Sequence, residues 1–143
     1  MKRSLALISL CLLVGCSHQE SQKLDLEKTA KAMIDTYYQA DMIKADQDQI
    51  YSILMLDVKE NTCTVYVSSN SETNELALCR GNDETIKQAF EQRRDYNLHS
   101  AENYFPQEVD KIKSSVIEKV GDAWVLITVE DSEAVLAAIQ ALL

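Results

Sequence analysis

Cysteine is the residue whose placement in this chain has the most chemical consequence. Four occur, at positions 11, 16, 63 and 79. Cys63 and Cys79 fall in two β-prone runs, Thr62 to Ser69 and Glu75 to Arg80, which read as the arms of one hairpin. Two registers are open. If Val65 faces Ala77, the thiols stand opposite each other and a cross-strand disulfide can form. If Val65 faces Leu78, they project to opposite faces and act as small apolar residues. The two histidines, His18 and His99, have no second ligand at metal-binding spacing. Asp46-Gln47-Asp48 imitates the start of a calcium loop without its glycine and closing glutamate. Neither a metal nor another cofactor is expected. Nucleophile elbows and glycine-rich phosphate loops are missing, and no two of the 23 acidic residues are singled out as an acid–base pair. The expectation is a protein that is not an enzyme. Glu91-Gln92-Arg93-Arg94-Asp95 reads as a solvated helix face, with Arg93 and Arg94 as an anchor for an anionic partner the rarer alternative.

Cys16 belongs to different chemistry. Lys2 and Arg3 precede an apolar run from Leu5 to Val14, the order of a secretory leader. At 1.5 Å per residue such a helix reaches roughly 15 Å, about half the hydrocarbon thickness, so it is too short to span. The run ends in Leu13-Val14-Gly15-Cys16, which resembles the bacterial lipobox. That resemblance implies a diacylglyceryl thioether on Cys16 and cleavage just before it. Residues 1–15 are then a signal peptide, 16–23 a polar tether, and 24–143 one folded domain. An ordinary secretory signal with a chance cysteine is the competing reading. Two acyl chains, at about 0.8 kcal/mol per buried methylene, would hold the protein on the extracytoplasmic face of the cell membrane.

Charge limits the partners. The formal net charge is −9, and losing Lys2 and Arg3 with the leader brings it to about −11. Such a surface repels phosphate backbones and anionic headgroups, so nucleic acid is not an expected partner and membrane attachment falls to the lipid. With 46% apolar and 26% charged residues, the chain has the composition of a folded protein.

The elements that must position these residues follow from periodicity. Leu26, Ala30, Met33, Ile34 and Tyr37 form the stripe of a helix from about 24 to 40, with Asp25 as a candidate cap. Asp41 to Gln49 is polar and reads as a turn or short helix; Ile50 to Val58 is apolar and open between strand and packed loop. After the two cysteine strands, Asn82-Asp83-Glu84 opens a helix carrying Ile86, Ala89, Phe90 and Arg93 to about Tyr96. Leu98 to Asp110, with Pro106, reads as a connector. Gly121-Asp122 joins strands 114–120 and 123–130 in a hairpin. A last helix carries Val135, Leu136, Ile139 and Leu142. The order is a helix followed by β-β-α-β-β-α, an α+β fold with a four-stranded, mainly antiparallel sheet packed with helices. In the second hairpin Val116, Val120, Val125 and Ile127 share one face; Ile117, Trp124 and Leu126 share the other. The first helix is a candidate cover for that second face. If it lies elsewhere, Trp124 and Leu126 form an exposed binding patch; a core role for Trp124 is the plainer assignment.

Thr64-Val65-Tyr66-Val67-Ser68, Glu75-Leu76-Ala77-Leu78, the helix from Asp83 to Arg94, Tyr104-Phe105-Pro106 and Gly121-Asp122-Ala123-Trp124-Val125-Leu126-Ile127 are similar to stretches in small lipoproteins of Gram-positive bacteria. The mature part of those proteins is a domain of unknown function. The resemblance implies the lipid anchor and the α+β fold and transfers no activity; Cys63 and Cys79 depart from its usual pattern. The expected role is a non-enzymatic module that binds a protein, peptide or glycan near the membrane through a sheet edge or the Trp124 face. An envelope enzyme using carboxylates and a structural subunit of a membrane complex are the alternatives.

Overall fold

A computed structural model describes residues 22–69 and 72–143. Cys16, Cys11 and His18 lie outside the described residues. Among the described residues there are five helices, a 3-10 turn and five strands, in the order α1 (Leu26–Tyr37), β1 (Met42–Lys44), α2 (Gln47–Leu54), β2 (Thr62–Ser68), β3 (Glu75–Arg80), α3 (Asp83–Tyr104), the 3-10 turn (Pro106–Glu108), α4 (Val109–Lys113), β4 (Val116–Val120), β5 (Ala123–Thr128) and α5 (Ser132–Gln140). The strands form one antiparallel sheet in the order β1-β2-β3-β5-β4.

The sheet therefore has five strands rather than four. The extra one is β1, three residues inside the polar stretch that reads as a turn. Backbone pairing with β2 holds it, Ile43 facing Val67, so its own residues show little alternation. The ambiguous run after it is α2. Asp46 accepts the Gln49 N–H while the Gln49 side chain accepts the Asp46 N–H, a reciprocal cap that starts the helix. α3 is longer than its apolar stripe suggests, continuing through the expected connector to Tyr104 before Phe105-Pro106 stops it.

Register places the cores. Val65 faces Ala77 and Cys63 faces Cys79, and a disulfide joins the two across a Cα separation of 4.2 Å. β3 and β5 lie inside the sheet and are buried on both faces. On one side Leu76, Leu78, Val125 and Ile127 pack under α1 and α5, through Ala30, Met33, Val135 and Ile139. On the other, Val65, Ala77, Cys79 and Leu126 pack under α2 and α3, through Ile50, Leu54, Ile86 and Phe90. The first helix thus covers the face opposite to the one proposed for it, and α3 covers Leu126.

The segment just before α1 is pinned. The Leu24 N–H donates to Asp122 Oδ1 at 2.9 Å, and Arg80 donates both to that oxygen and to the Leu24 carbonyl. Burial opposes ionisation of Asp122, but Arg80 and the Leu24 N–H outweigh it and hold the carboxyl below the usual range. Gly121, at φ +60°, makes the turn, and a Cβ there would clash with the Gln22 carbonyl.

The disulfide closes a loop with a sequence separation of 16. Reducing it is expected to destabilise the fold by about 3 kcal/mol, the loop-closure value for that length. Urea denaturation with and without reductant checks this; an unchanged midpoint would show that the neighbouring strands alone hold the hairpin.

Candidate binding surface

Leu126 is 1% exposed, so no Trp124–Leu126 patch exists. Trp124 is partly buried beside the start of α3. Its indole N–H donates to Asp83 Oδ1 at 3.2 Å, and the Lys87 ammonium lies 5.9 Å from its ring centroid. Lys119 also binds Asp83 and is the main cause of that carboxyl lying below its usual range. The Trp124 face is thus a strut between β4, β5 and α3.

Apolar surface collects instead around α2. Ile43 on β1 is 53% exposed, Met55 at the end of α2 is 73% exposed, and Tyr96 on α3 is 68% exposed; Tyr51, four residues before Met55, is exposed as well. Two hollows flank the helix and share Ser52 and Ile53. One, of about 460 Å³, lies between α2 and α3 and is lined by Met55, Ala89, Arg93 and Tyr96 among others. The other, of about 450 Å³, lies between β1 and α2, with Ile43, Ala45, Ile53 and Val67 on its walls and Asp46 and Asp48 on its rim.

Met55 caps α2 in the left-handed conformation, φ +54° and ψ +29°, where glycine or asparagine is the usual residue. A side chain in that region costs roughly 1 kcal/mol. The strain holds a large flexible apolar group at the lip of the hollow.

The wall of the first hollow is braced by a buried ion pair. Glu75, on β3, is 1% exposed. Arg93 Nε donates to both its carboxylate oxygens, at 3.0 and 3.1 Å, and Asn97 donates to one of them at 2.9 Å. Arg93 and Asn97 are one helical turn apart on α3, so one helix face supplies both donors. Burial holds the Glu75 carboxyl above the usual carboxylate range against the opposing pull of Arg93 and Asn97. Arg93 therefore turns inward and leaves the solvated face expected of it, while Arg94 lies beside Asp95. The residues missed by sequence reasoning are Glu75, Met55 and Ile43. The Arg93–Asn97 spacing was the one available signal for Glu75.

The Arg93→Met protein is expected to lose about 3–5 kcal/mol, because it leaves a buried carboxylate without its cation. Glu75→Gln should cost clearly less, since Arg93 keeps an amide oxygen and opens onto the hollow. In Arg93→Met the carboxyl of Glu75 rises further, so the contribution of this one group to stability, relative to the unchanged protein, is greatest below the ordinary Glu range and falls as pH rises through the raised value. Urea titrations at pH 4 and pH 8 read both effects; equal losses for the two variants would sink this account. Met55→Gly, by contrast, is expected to raise stability by about 0.5–1 kcal/mol in the same measurement.

Among the described residues, no three His, Cys, Asp or Glu side chains converge as a metal cage would need. No described helix is long and apolar enough to cross a membrane. Residues 34–129 match the family model of a domain of unknown function, DUF4358. The match runs from the last turn of α1 to just past β5, and so takes in all five strands and the α2 surface. No match to the chain is found among the curated proteins or among the solved structures.

Proposed function

The chain belongs to the DUF4358 family, and from that premise we propose that it is a lipid-anchored, non-enzymatic binding or accessory module on the extracytoplasmic face of the cell membrane. The observation that carries the binding reading is the apolar surface around α2, where Tyr51 is exposed on the helix, Ile43 in the hollow on one side, and Met55 and Tyr96 in the hollow on the other. The anchor rests on the leader and on Leu13-Val14-Gly15-Cys16. The non-enzymatic reading is supported by the state of Glu75. Its carboxylate is the buried one among the described residues, and its hydrogen-bond partners are Arg93 and Asn97, so it has no second acid with which to divide proton transfer.

Mass spectrometry of the protein recovered from membranes tests the anchor. The expected product begins at Cys16 and carries the added mass of a diacylglyceryl group. A product that begins elsewhere, or that carries no acyl mass, overturns the proposal.

A further inference from the structure

We propose that β1 is a docking edge, and that an extended, basic segment of a partner polypeptide adds to it as a sixth strand. This deepens the binding reading above and rests on it.

The backbone geometry comes first. Ser69 N–H donates to the Asp41 carbonyl and Ala45 N–H to the Val65 carbonyl, at 3.0 and 2.9 Å. In an antiparallel ladder the bonded pairs recur every second residue, so Ile43 with Val67 is the bonded pair between them. Met42 and Lys44 then carry their N–H and C=O groups away from β2, and no described strand lies beyond β1. That leaves two donors and two acceptors in line, a template for strand addition.

Both edges carry exposed charge: Glu118 and Lys119 on β4, and on β1 Lys44, whose ammonium pairs with Glu27 on the α1 side. β1 presents Ile43, half exposed beside the hollow against α2.

Side chains then state the partner's chemistry. An added strand would place alternate residues on the α2 side of the sheet, two positions apart. One of them meets the apolar wall of Ile43, Ala45, Ile53 and Val67; the next meets the rim of Asp46 and Asp48. No Lys or Arg lines this hollow. Lys44 pairs across from Tyr66, on the other face, and its ammonium is 2.7 Å from Glu27. The fitting segment has an apolar residue followed two positions later by Lys or Arg. A second copy of this chain is a poor occupant, because two surfaces of net charge −9 repel each other.

The test uses the full chain and a labelled, end-blocked octapeptide, Thr-Val-Thr-Lys-Thr-Val-Thr-Lys, against the same peptide with Glu in place of Lys. Fluorescence anisotropy should show saturable binding that weakens about tenfold or more for the Glu peptide. Amide exchange at Met42 and Lys44 should slow on binding. Lys44→Pro removes one outward donor and none of the bonds to β2, a substitution that sheet edges accommodate, and should weaken binding about tenfold. Asp48→Lys, at an exposed position, should weaken it about fivefold without relying on a backbone change. The proposal fails if the folded protein does not bind the peptide at millimolar concentration. Equal binding of the Lys and Glu peptides also overturns it, as does full affinity in both variants. Any of these results leaves the Cys16 anchor standing, because the mass of the mature N-terminus is measured separately.

Discussion

The pairing of Val65 with Ala77 is the constraint on which the remaining structure depends. Side chains alternate with a period of two, so a slip of one residue between β2 and β3 would send each side chain of β2 to the wrong face. In the register observed, Cys63 meets Cys79, Val67 lies beside Ile43, and Thr64 and Tyr66 both bind Glu27 of α1. The disulfide can close only in this register, and once closed it excludes the slipped pairing. It also sits where exclusion is most needed: the turn between these strands is long, and unlike the Gly121-Asp122 turn it imposes no register of its own.

With β3 fixed on β2, Glu75 must point toward α3. A carboxylate there is costly, and replacing a buried ion pair with apolar residues is often neutral or stabilising. Its effect here is positional. Arg93 and Asn97 reach Glu75 only if α3 lies over β3 at one rotation and one height. Ile86, Ala89 and Phe90 fill the core below, but an apolar stripe tolerates sliding that a carboxylate held by Arg93 Nε and Asn97 together does not. The same helix forms one wall of the hollow beside α2, so the buried pair also sets the width of that hollow.

How much was legible in the sequence follows from where the information resides. The second hairpin was readable because Gly121-Asp122 fixes turn and register locally, and Val120 does face Ala123. The Thr62 and Glu75 strands were readable from composition, but their register was open because nothing in Ser69 to Asn74 specifies it. β1 was hidden because three residues carry no period and a partner 24 positions away makes them a strand. The end of α3 was hidden because, beyond Phe90, Ala101 is the one apolar residue of the helix that is fully buried, so its apolar stripe thins out before its backbone ends. The sequence shows that both faces of β5 are apolar; which helix covers which face depends on chain crossings that no local pattern encodes. The Trp124–Leu126 patch failed on that point. A buried Glu in a strand also looks like any other Glu until its cation is found on another element.

The proposed anchor and the proposed docking edge are geometrically compatible. Leu24, just before α1, is bound to Asp122 and Arg80. Arg80 pairs with Thr62, at the beginning of β2, whereas β1 pairs with Tyr66, Val67 and Ser68, at its other end. Five residues separate Thr62 from Val67, about 17 Å along the strand at 3.3–3.4 Å each. β1 is also two strands away from β3 across the sheet, about 10 Å at the usual spacing. Leu24 therefore lies toward the end of β2 opposite to the one that pairs with Ile43, although Glu27, three residues on, reaches Lys44. An acyl chain at that end would hold the protein at the membrane with β1 displaced from the attachment point. The acidic rim of Asp46 and Asp48 could then face a soluble basic segment without first having to approach anionic headgroups that repel it. An attachment beside β1 would have put the lipid surface and the peptide in competition for the same edge.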